Sequence, residues 1–166
     1  TDMNRAASSL EWAVTKMEER YTLFQEAGVR DIASYNALTA EEVASWNHGD
    51  RLLLSGKMLT GRDAAHKRIN DMLEAGEELP VEFKGRAIYY VGPVDPVMGE
   101  VVGPAGPTTA TRMDKFTEMM LDLGLLAMIG KAERGHDAVN VISRFKVAYL
   151  MATGGAAYLV SRAIKG

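Results

Sequence analysis

The sequence predicts an α/β protein, and three observations lead to that class. Residues 1–38 have a helical pattern, residues 39–166 alternate short apolar segments with amphipathic ones, and glycine or proline separates many of them. Short apolar segments alternating with helices are typical of strands that are buried on both faces of a largely parallel sheet. We therefore expect one α/β domain over 39–166, preceded by a helical hairpin over 1–38.

The hairpin is predicted by a heptad seam and a second short helical segment. The seam steps alternately by four and three residues, and it consists of Met3, Ala7, Leu10, Val14, Met17, Tyr21 and Phe24. Gly28 stands where the first helix would end, and "RDIASYNAL" predicts the second helix, with Asp31 near its N-cap. Because an exposed apolar stripe is an aggregation liability, we expect the seam to pack on the α/β domain or on a second copy of the chain.

The elements of the α/β domain follow in order from Thr39. "TAEE" predicts a helix that starts with a capping box between Thr39 and Glu42. The predicted strands are 51–56, 87–92, 125–130 and 147–155, and the predicted helices are 62–76, 109–124, 136–145 and 156–165. A loop rich in proline and glycine connects strand 87–92 to helix 109–124.

The composition narrows the classes of function. The 166 residues include no cysteine, so this chain can form no disulfide and offers no thiolate to a metal or an iron–sulfur cluster. A net charge of −3 gives no sign of a nucleic-acid surface. No apolar run reaches the roughly 18 residues of a membrane span, and the first residues lack the apolar core of a signal peptide. We expect a cytoplasmic protein with neither a nucleic acid nor a membrane as its partner.

Polar side chains follow three of the predicted strands. The candidate site residues are Arg62, Thr108, Thr109, Arg112 and Lys131. The carboxyl ends of parallel strands lie at one edge of a sheet, where helix N-termini offer N–H groups to ligands. Two hydroxyls, helix N–H groups and fixed cations together make a receptor for a carboxylate. The sequence therefore predicts a site for a small anion, and a carboxylate is the best match.

Some of these residues also have a structural interpretation. Thr109 is a natural N-cap for the helix that follows it. His66 lies one turn after Arg62, so it can face the same cavity or lie on the helix surface beside charged neighbours. His48 and His136 stand in turn-like segments, and no spacing of histidines and carboxylates indicates a metal site. The long loop lacks the GK[ST] sequence of a phosphate-binding loop.

Several motifs resemble the C-terminal part of class I fumarate hydratases and the related tartrate dehydratase β subunits. They are "LLLSGKMLTGRDAAHKRI", "ELPVEFKGRAIYYVGPVDP", "EVVGPAGPTTATRMDKFTEMML", "GLLAMIGKAERG" and "VAYLMATGGAAYLVSRAIK". The resemblance runs from about Thr39 to the end of the chain. It implies a swivelling β/β/α domain and the reversible hydration of fumarate to malate on a [4Fe–4S] cluster with one open iron site.

The resemblance also implies roles for the five candidate residues. Arg62 in "TGRD" and Arg112 in "TTATR" resemble arginines that bind substrate carboxylates, and Lys131 in "IGKAERG" resembles a substrate-contacting lysine. Thr108 resembles the threonine proposed as the general base, and Thr109 its neighbour in the substrate pocket. The implied ligand is fumarate, malate or tartrate.

The same resemblance implies a partner. Because this chain has no cysteine, the cluster would come from an α-type domain or subunit, and we expect the chain alone to be inactive. The family's β part usually continues some tens of residues further, so we also expect a final segment to be missing.

The first 37 residues resemble a segment of FtsK/SpoIIIE-type DNA translocases, without the Walker A and Walker B sequences of those motors. Two families that meet near residue 38 indicate a recombined or engineered chain. Three hypotheses follow: a hydro-lyase component, a helical interaction module that docks or forms a homo-oligomer through 1–38, and a recombined fold without a selected activity.

Overall fold

A computed structural model describes residues 30–35 and 38–165 of the chain. The chain divides into two compact units, and among the described residues 30–33 and 48–55 belong to the smaller one. The larger unit contains the remaining described residues. The heptad seam from Met3 to Phe24 lies outside the described residues, so the first predicted helix stays a prediction.

Strands β1 (Arg30–Tyr35) and β2 (Leu52–Gly56) form a two-stranded sheet. The second predicted helix, over 30–38, is therefore wrong for its first six residues. Ile32 and Tyr35 are residue types that favour strands, and the backbone of β1 finds its partner in a segment distant in sequence. Local spacing carries no information about that pairing. Strand 51–56 was predicted as part of the parallel sheet, and that placement is wrong, because β2 pairs with β1 in a separate sheet.

The larger unit contains helix α1 (Ala40–Ala44), and its predicted capping box is confirmed. The Thr39 hydroxyl accepts the Glu42 N–H at 3.1 Å, and the Glu42 carboxylate accepts the Thr39 N–H at 2.9 Å. Just before the cap, the Leu38 N–H donates to the Gly85 carbonyl at 2.6 Å. These bonds fix where α1 starts.

A parallel sheet of four strands organises the larger unit. Its strands are β3 (Leu59–Thr60), β4 (Ala87–Tyr89), β5 (Ala127–Gly130) and β6 (Ala148–Met151), and they lie side by side in chain order. Each neighbouring pair is parallel, which confirms the predicted α/β class. Strand β3 was not predicted, because two residues are too few to show a period.

A helix follows each strand of this sheet. These helices are α2 (Asp63–Ala75), a 3₁₀ helix (Ala110–Phe116) that leads into α3 (Thr117–Asp122), α4 (His136–Phe145) and α5 (Ala157–Ala163). Helix α2 ends at Gly76, whose φ of 67° is the left-handed conformation that glycine adopts readily. The predicted helix 109–124 is confirmed in place but begins with 3₁₀ geometry. In the part of the chain that the structure describes, no helix is long and apolar enough to cross a membrane.

The core lies on both faces of the sheet. Ile88, Tyr90 and Met128 join a buried cluster with apolar residues of α2, the 3₁₀ helix and α3. On the other face, the Tyr89 hydroxyl donates to the Ala105 carbonyl at 2.8 Å, which brings the long loop against the sheet. Strands covered on both faces explain why their sequences are continuously apolar.

Candidate functional site

The predicted site residues follow the carboxyl ends of the parallel strands. The Thr108 N–H donates to the carbonyl of Tyr90, one residue beyond β4, at 2.7 Å. The Thr108 carbonyl accepts the N–H of Lys131, one residue beyond β5, at 3.0 Å. Thr108 therefore lies between the ends of the two central strands, and its backbone is bound to both.

Thr109 continues this connection and forms a parallel bridge with Lys131. The N–H of Ala110 donates to the Lys131 carbonyl at 2.9 Å, so the backbone of Lys131 is hydrogen-bonded on both sides. Thr109 stands at the N-cap of the 3₁₀ helix, yet its hydroxyl makes no capping hydrogen bond. Capping therefore does not account for this side chain.

Arg62 reaches from the end of β3 to the end of β4. A Cβ placed on Gly92 would be 2.7 Å from Arg62 Cζ and 2.8 Å from its Nε, so the guanidinium lies against the bare backbone of Gly92. Glycine permits this approach because it has no side chain. The Arg62 residue is otherwise exposed to solvent.

Arg112 is bound by the carboxylate that follows Arg62 in the sequence. Its Nε donates to Asp63 Oδ1 at 2.8 Å, and its Nη2 lies 2.7 Å from Asp63 Oδ2. The side chains of Arg112 and Asp63 are 54% and 36% exposed, so water screens this bidentate pair. The pair brings Arg112 to the start of α2, next to Arg62, and Asp63 balances its charge.

Lys131 extends the site toward β6. A Cβ on Gly154, in the loop after β6, would lie 3.8 Å from Lys131 Cδ. Arg62 therefore spans β3 and β4, Thr108 lies between β4 and β5, and Lys131 reaches the loop that follows β6. The backbone of the two threonines therefore lies between Arg62 and Lys131 along this edge of the sheet.

His66 does not lie on the helix surface, so that interpretation of it was wrong. It is fully buried, and its ring contacts the rings of Tyr90 and Phe116. Its Nδ1 lies 2.9 Å from the Arg62 carbonyl, so Nδ1 carries the proton and donates it there. Burial is the main cause that lowers the pKa of His66 below its ordinary value. The neutral ring therefore supports the backbone at Arg62 through this hydrogen bond.

Sequence reasoning missed a buried charged cluster behind the site. The Arg134 side chain is only 1% exposed, and its Nε lies 2.6 Å from Asp114 Oδ1. Burial raises the pKa of Tyr90, which lies under this guanidinium, to about 12, so the phenol is neutral and Asp114 balances the arginine. The available signal was that Asp114 and Arg134 stand in the same two motifs, "TATRMD" and "GKAERG", as the site residues.

Comparisons with known proteins agree on one family. The sequence model described as "Fumarase C-terminus" matches residues 5–166. A putative L(+)-tartrate dehydratase subunit beta from Methanocaldococcus jannaschii is 33% identical over 135 residues, which cover 80% of this chain and 69% of that protein. The anaerobic class I fumarate hydratase of Escherichia coli is 37% identical, and the mitochondrial fumarate hydratase 1 of Leishmania major is 39% identical.

Coverage differs between these relatives. Both fumarate hydratases match 69% of this chain, and the chain spans only 21% of their length. The family match begins at residue 5, so it includes most of the segment that resembles a DNA translocase. These comparisons give no support to the translocase resemblance.

Proposed function

Because the chain belongs to the fumarase C-terminus family, we propose that it is the substrate-binding, β-type part of an iron–sulfur hydro-lyase that reversibly hydrates fumarate to malate. The observation that carries this proposal is the placement of Arg62, Thr108 and Lys131 along the carboxyl edge of the parallel sheet. We also propose the swivelling β/β/α type for the domain.

The site suits a ligand that is negatively charged at both ends. Arg62 and Lys131 lie at opposite ends of the row, and the backbone bonds of Thr108 hold the threonine pair between them. A dicarboxylate lying along this row would meet a cation at each end and hydroxyls in the middle. Arg112 becomes available to a carboxylate when that carboxylate replaces Asp63 as its partner.

Thr108 is the proposed general base. Removal of a proton beside a carboxylate builds negative charge on that carboxylate, and the arginines would offset this charge. A threonine hydroxyl is a weak base in water, but a nearby ammonium group favours its ionised form. The Lys131 N–H is bonded to the Thr108 carbonyl, so the two residues are neighbours through their backbones.

This chain does not fit the [4Fe–4S] cluster that the family resemblance implies. It contains no cysteine, and residues 30–35 and 38–165 contain no group of three or more histidines or carboxylates placed to hold a metal. The cluster is proposed to belong to an α-type domain or subunit. The name of one relative, a subunit beta, supports such a partner.

Titration with fumarate and L-malate, followed by NMR, tests the proposed site. We expect shifts at the amides of Arg62, Gly92, Thr108, Thr109 and Lys131. Each exposed ion pair contributes about 1 kcal/mol or less, so the affinity of the chain alone should be about millimolar.

Two variants sharpen this titration. Arg112→Ala should weaken binding about fivefold. Lys67→Ala should leave it unchanged, because exposed Lys67 pairs with Asp71 on the same helix as Arg62. Shifts confined to other surfaces, or an equal loss in both variants, would contradict the proposed function.

A further inference from the structure

The turn that follows Lys131 is strained. Ala132 has a φ of 65°, which is the left-handed conformation that a residue with a Cβ rarely adopts. Such a conformation persists only where the surrounding structure imposes it. The contacts of residues 132–135 therefore show what holds Lys131 in place.

Two attachments hold the turn. The Tyr149 hydroxyl donates to the Ala132 carbonyl at 2.6 Å. The Asp114 carboxylate accepts two bonds from the other end of the turn, from Arg134 Nε at 2.6 Å and from the Gly135 N–H at 2.7 Å. A Cβ at Gly135 would lie 2.7 Å from Asp114 Oδ2, so the close approach depends on glycine.

The Arg134 guanidinium contacts several further side chains. Its Nη2 donates to the Thr117 hydroxyl, and its Nη1 lies 3.6 Å from the Met128 sulfur. Its Cζ is 5.1 Å from the ring centroid of Tyr149 and 5.7 Å from that of Tyr90. A planar cation with this many partners has one orientation, and so has the turn that it belongs to.

We propose that Asp114, Arg134 and Tyr149 are positioning residues, which hold the Lys131 turn in place and so fix Lys131 relative to Arg112 and the threonine pair. Asp114 lies two residues after Arg112 on that helix, so one carboxylate connects the two segments that carry the site. The inference rests on the proposed function, because it concerns how the same site recognises both ends of its ligand.

A gain in stability alone does not explain the buried pair of Asp114 and Arg134. A buried ion pair is weak evidence of stabilisation, because desolvation opposes the attraction of its charges. The chain also contains a matched pair, Arg144 with Glu118, which joins α4 to α3 with side chains 60% and 58% exposed. That pair links neighbouring elements without contacting the strained turn, so Glu118→Gln is the control variant.

The test compares fumarate with crotonate, which has a methyl group in place of one carboxylate. Tyr149→Phe and Asp114→Asn should weaken fumarate binding about fivefold, the equivalent of one exposed ion pair, and leave crotonate binding unchanged. A monoanion engages one end of the site, so it does not depend on the distance between the ends. Glu118→Gln should change neither affinity.

The outcomes separate positioning from a structural role. Equal weakening of fumarate and crotonate, or the same loss in Glu118→Gln, would overturn the inference. If Asp114→Asn fails to fold, Tyr149→Phe decides, because it keeps every charge.

Hydrogen exchange distinguishes failure of this inference from failure of the proposed function. If the unaltered chain does not bind fumarate, the proposed function fails. The amides of Ala110 and Lys131 then decide the inference without a ligand. They should exchange faster in Tyr149→Phe and Asp114→Asn than in Glu118→Gln, and unchanged rates would overturn the inference.

Discussion

At the scale of single residues, Asp63 controls the charge of the candidate site. It neutralises Arg112 through a bidentate pair, although its own place in the sequence is beside Arg62. Asp63→Asn should therefore release Arg112 and raise the affinity for fumarate, by up to about fivefold for an exposed pair. Asp71→Asn breaks the exposed pair with Lys67 on the same helix and is the matched control. Isothermal titration calorimetry measures the fumarate affinity of both variants. Weaker binding by Asp63→Asn would contradict this prediction and show that the Asp63 carboxylate helps to hold the site together.

His66 predicts a pH dependence of stability. Because burial lowers its folded-state pKa, the unfolded chain binds the proton more readily than the folded chain does. The stability is complete above the unfolded-state pKa of about 6.5 and decreases as the pH falls below it. Melting temperatures at about pH 7.5 and 5.5 should show this drop, and His66→Asn should reduce it. His136→Asn, at an exposed histidine, is the control. If the melting temperature of His66→Asn falls with pH as much as that of the unaltered chain, other groups cause the effect.

At this scale, the sequence predicted the site residues that follow strands, but not the residues whose role depends on their burial. Lys131 could be identified because a polar residue after an apolar run marks a strand end. Arg62 was assigned to the end of strand 51–56, whereas it follows β3, which was not predicted. Arg134 could not be identified, since its 1% exposure depends on α3, β4 and β6 together. The partner of Asp63 was also missed, because Arg112 is 49 residues away along the chain.

At the scale of elements, local patterns predicted the helices and non-local pairing decided the strands. Helix α4 matches its predicted bounds, and α2 ends at the glycine that the sequence indicated. Strand β1 was missed because its helical pattern gave no sign of a distant partner, and β3 was missed because two residues are too few to show a period. The 3₁₀ geometry of 110–116 was also missed, and here the backbone of 108–110 is bound to the ends of two strands before the helix begins.

The contact of Arg62, which follows β3, with Gly92, which follows β4, can be tested by substitution of the glycine. Gly92→Ala should displace the Arg62 guanidinium, whose Cζ would be 2.7 Å from the new methyl group, and weaken fumarate binding severalfold. The melting temperature should stay nearly constant, because the displaced atoms are the flexible end of an exposed side chain. Gly154→Ala is the control at the same edge of the sheet, since its methyl would lie at an ordinary 3.8 Å from Lys131. A large loss of stability in Gly92→Ala would mean that the glycine serves the fold instead.

At the scale of the whole molecule, the parallel sheet brings together residues that are far apart in the sequence. Its strands lie in chain order, so the order of site residues along the edge follows their order along the chain. The fold class and this edge could be predicted from the alternation of elements. The possible association of two copies through residues 1–38 stays a prediction, since that segment lies largely outside the described residues.

The chain by itself should bind dicarboxylates without converting them. The proposed binding needs the cations and hydroxyls of the sheet edge, which this chain supplies, whereas the proposed hydration needs a cluster that its side chains do not fit. Anaerobic incubation with iron and sulfide should therefore produce no cluster absorbance and no turnover of malate, while fumarate still shifts the amides of Thr108 and Lys131. Mixing with a cluster-bearing α-type subunit from a relative should restore turnover. Turnover by the chain alone would remove the need for that partner and would require a catalytic group that the sheet edge does not contain.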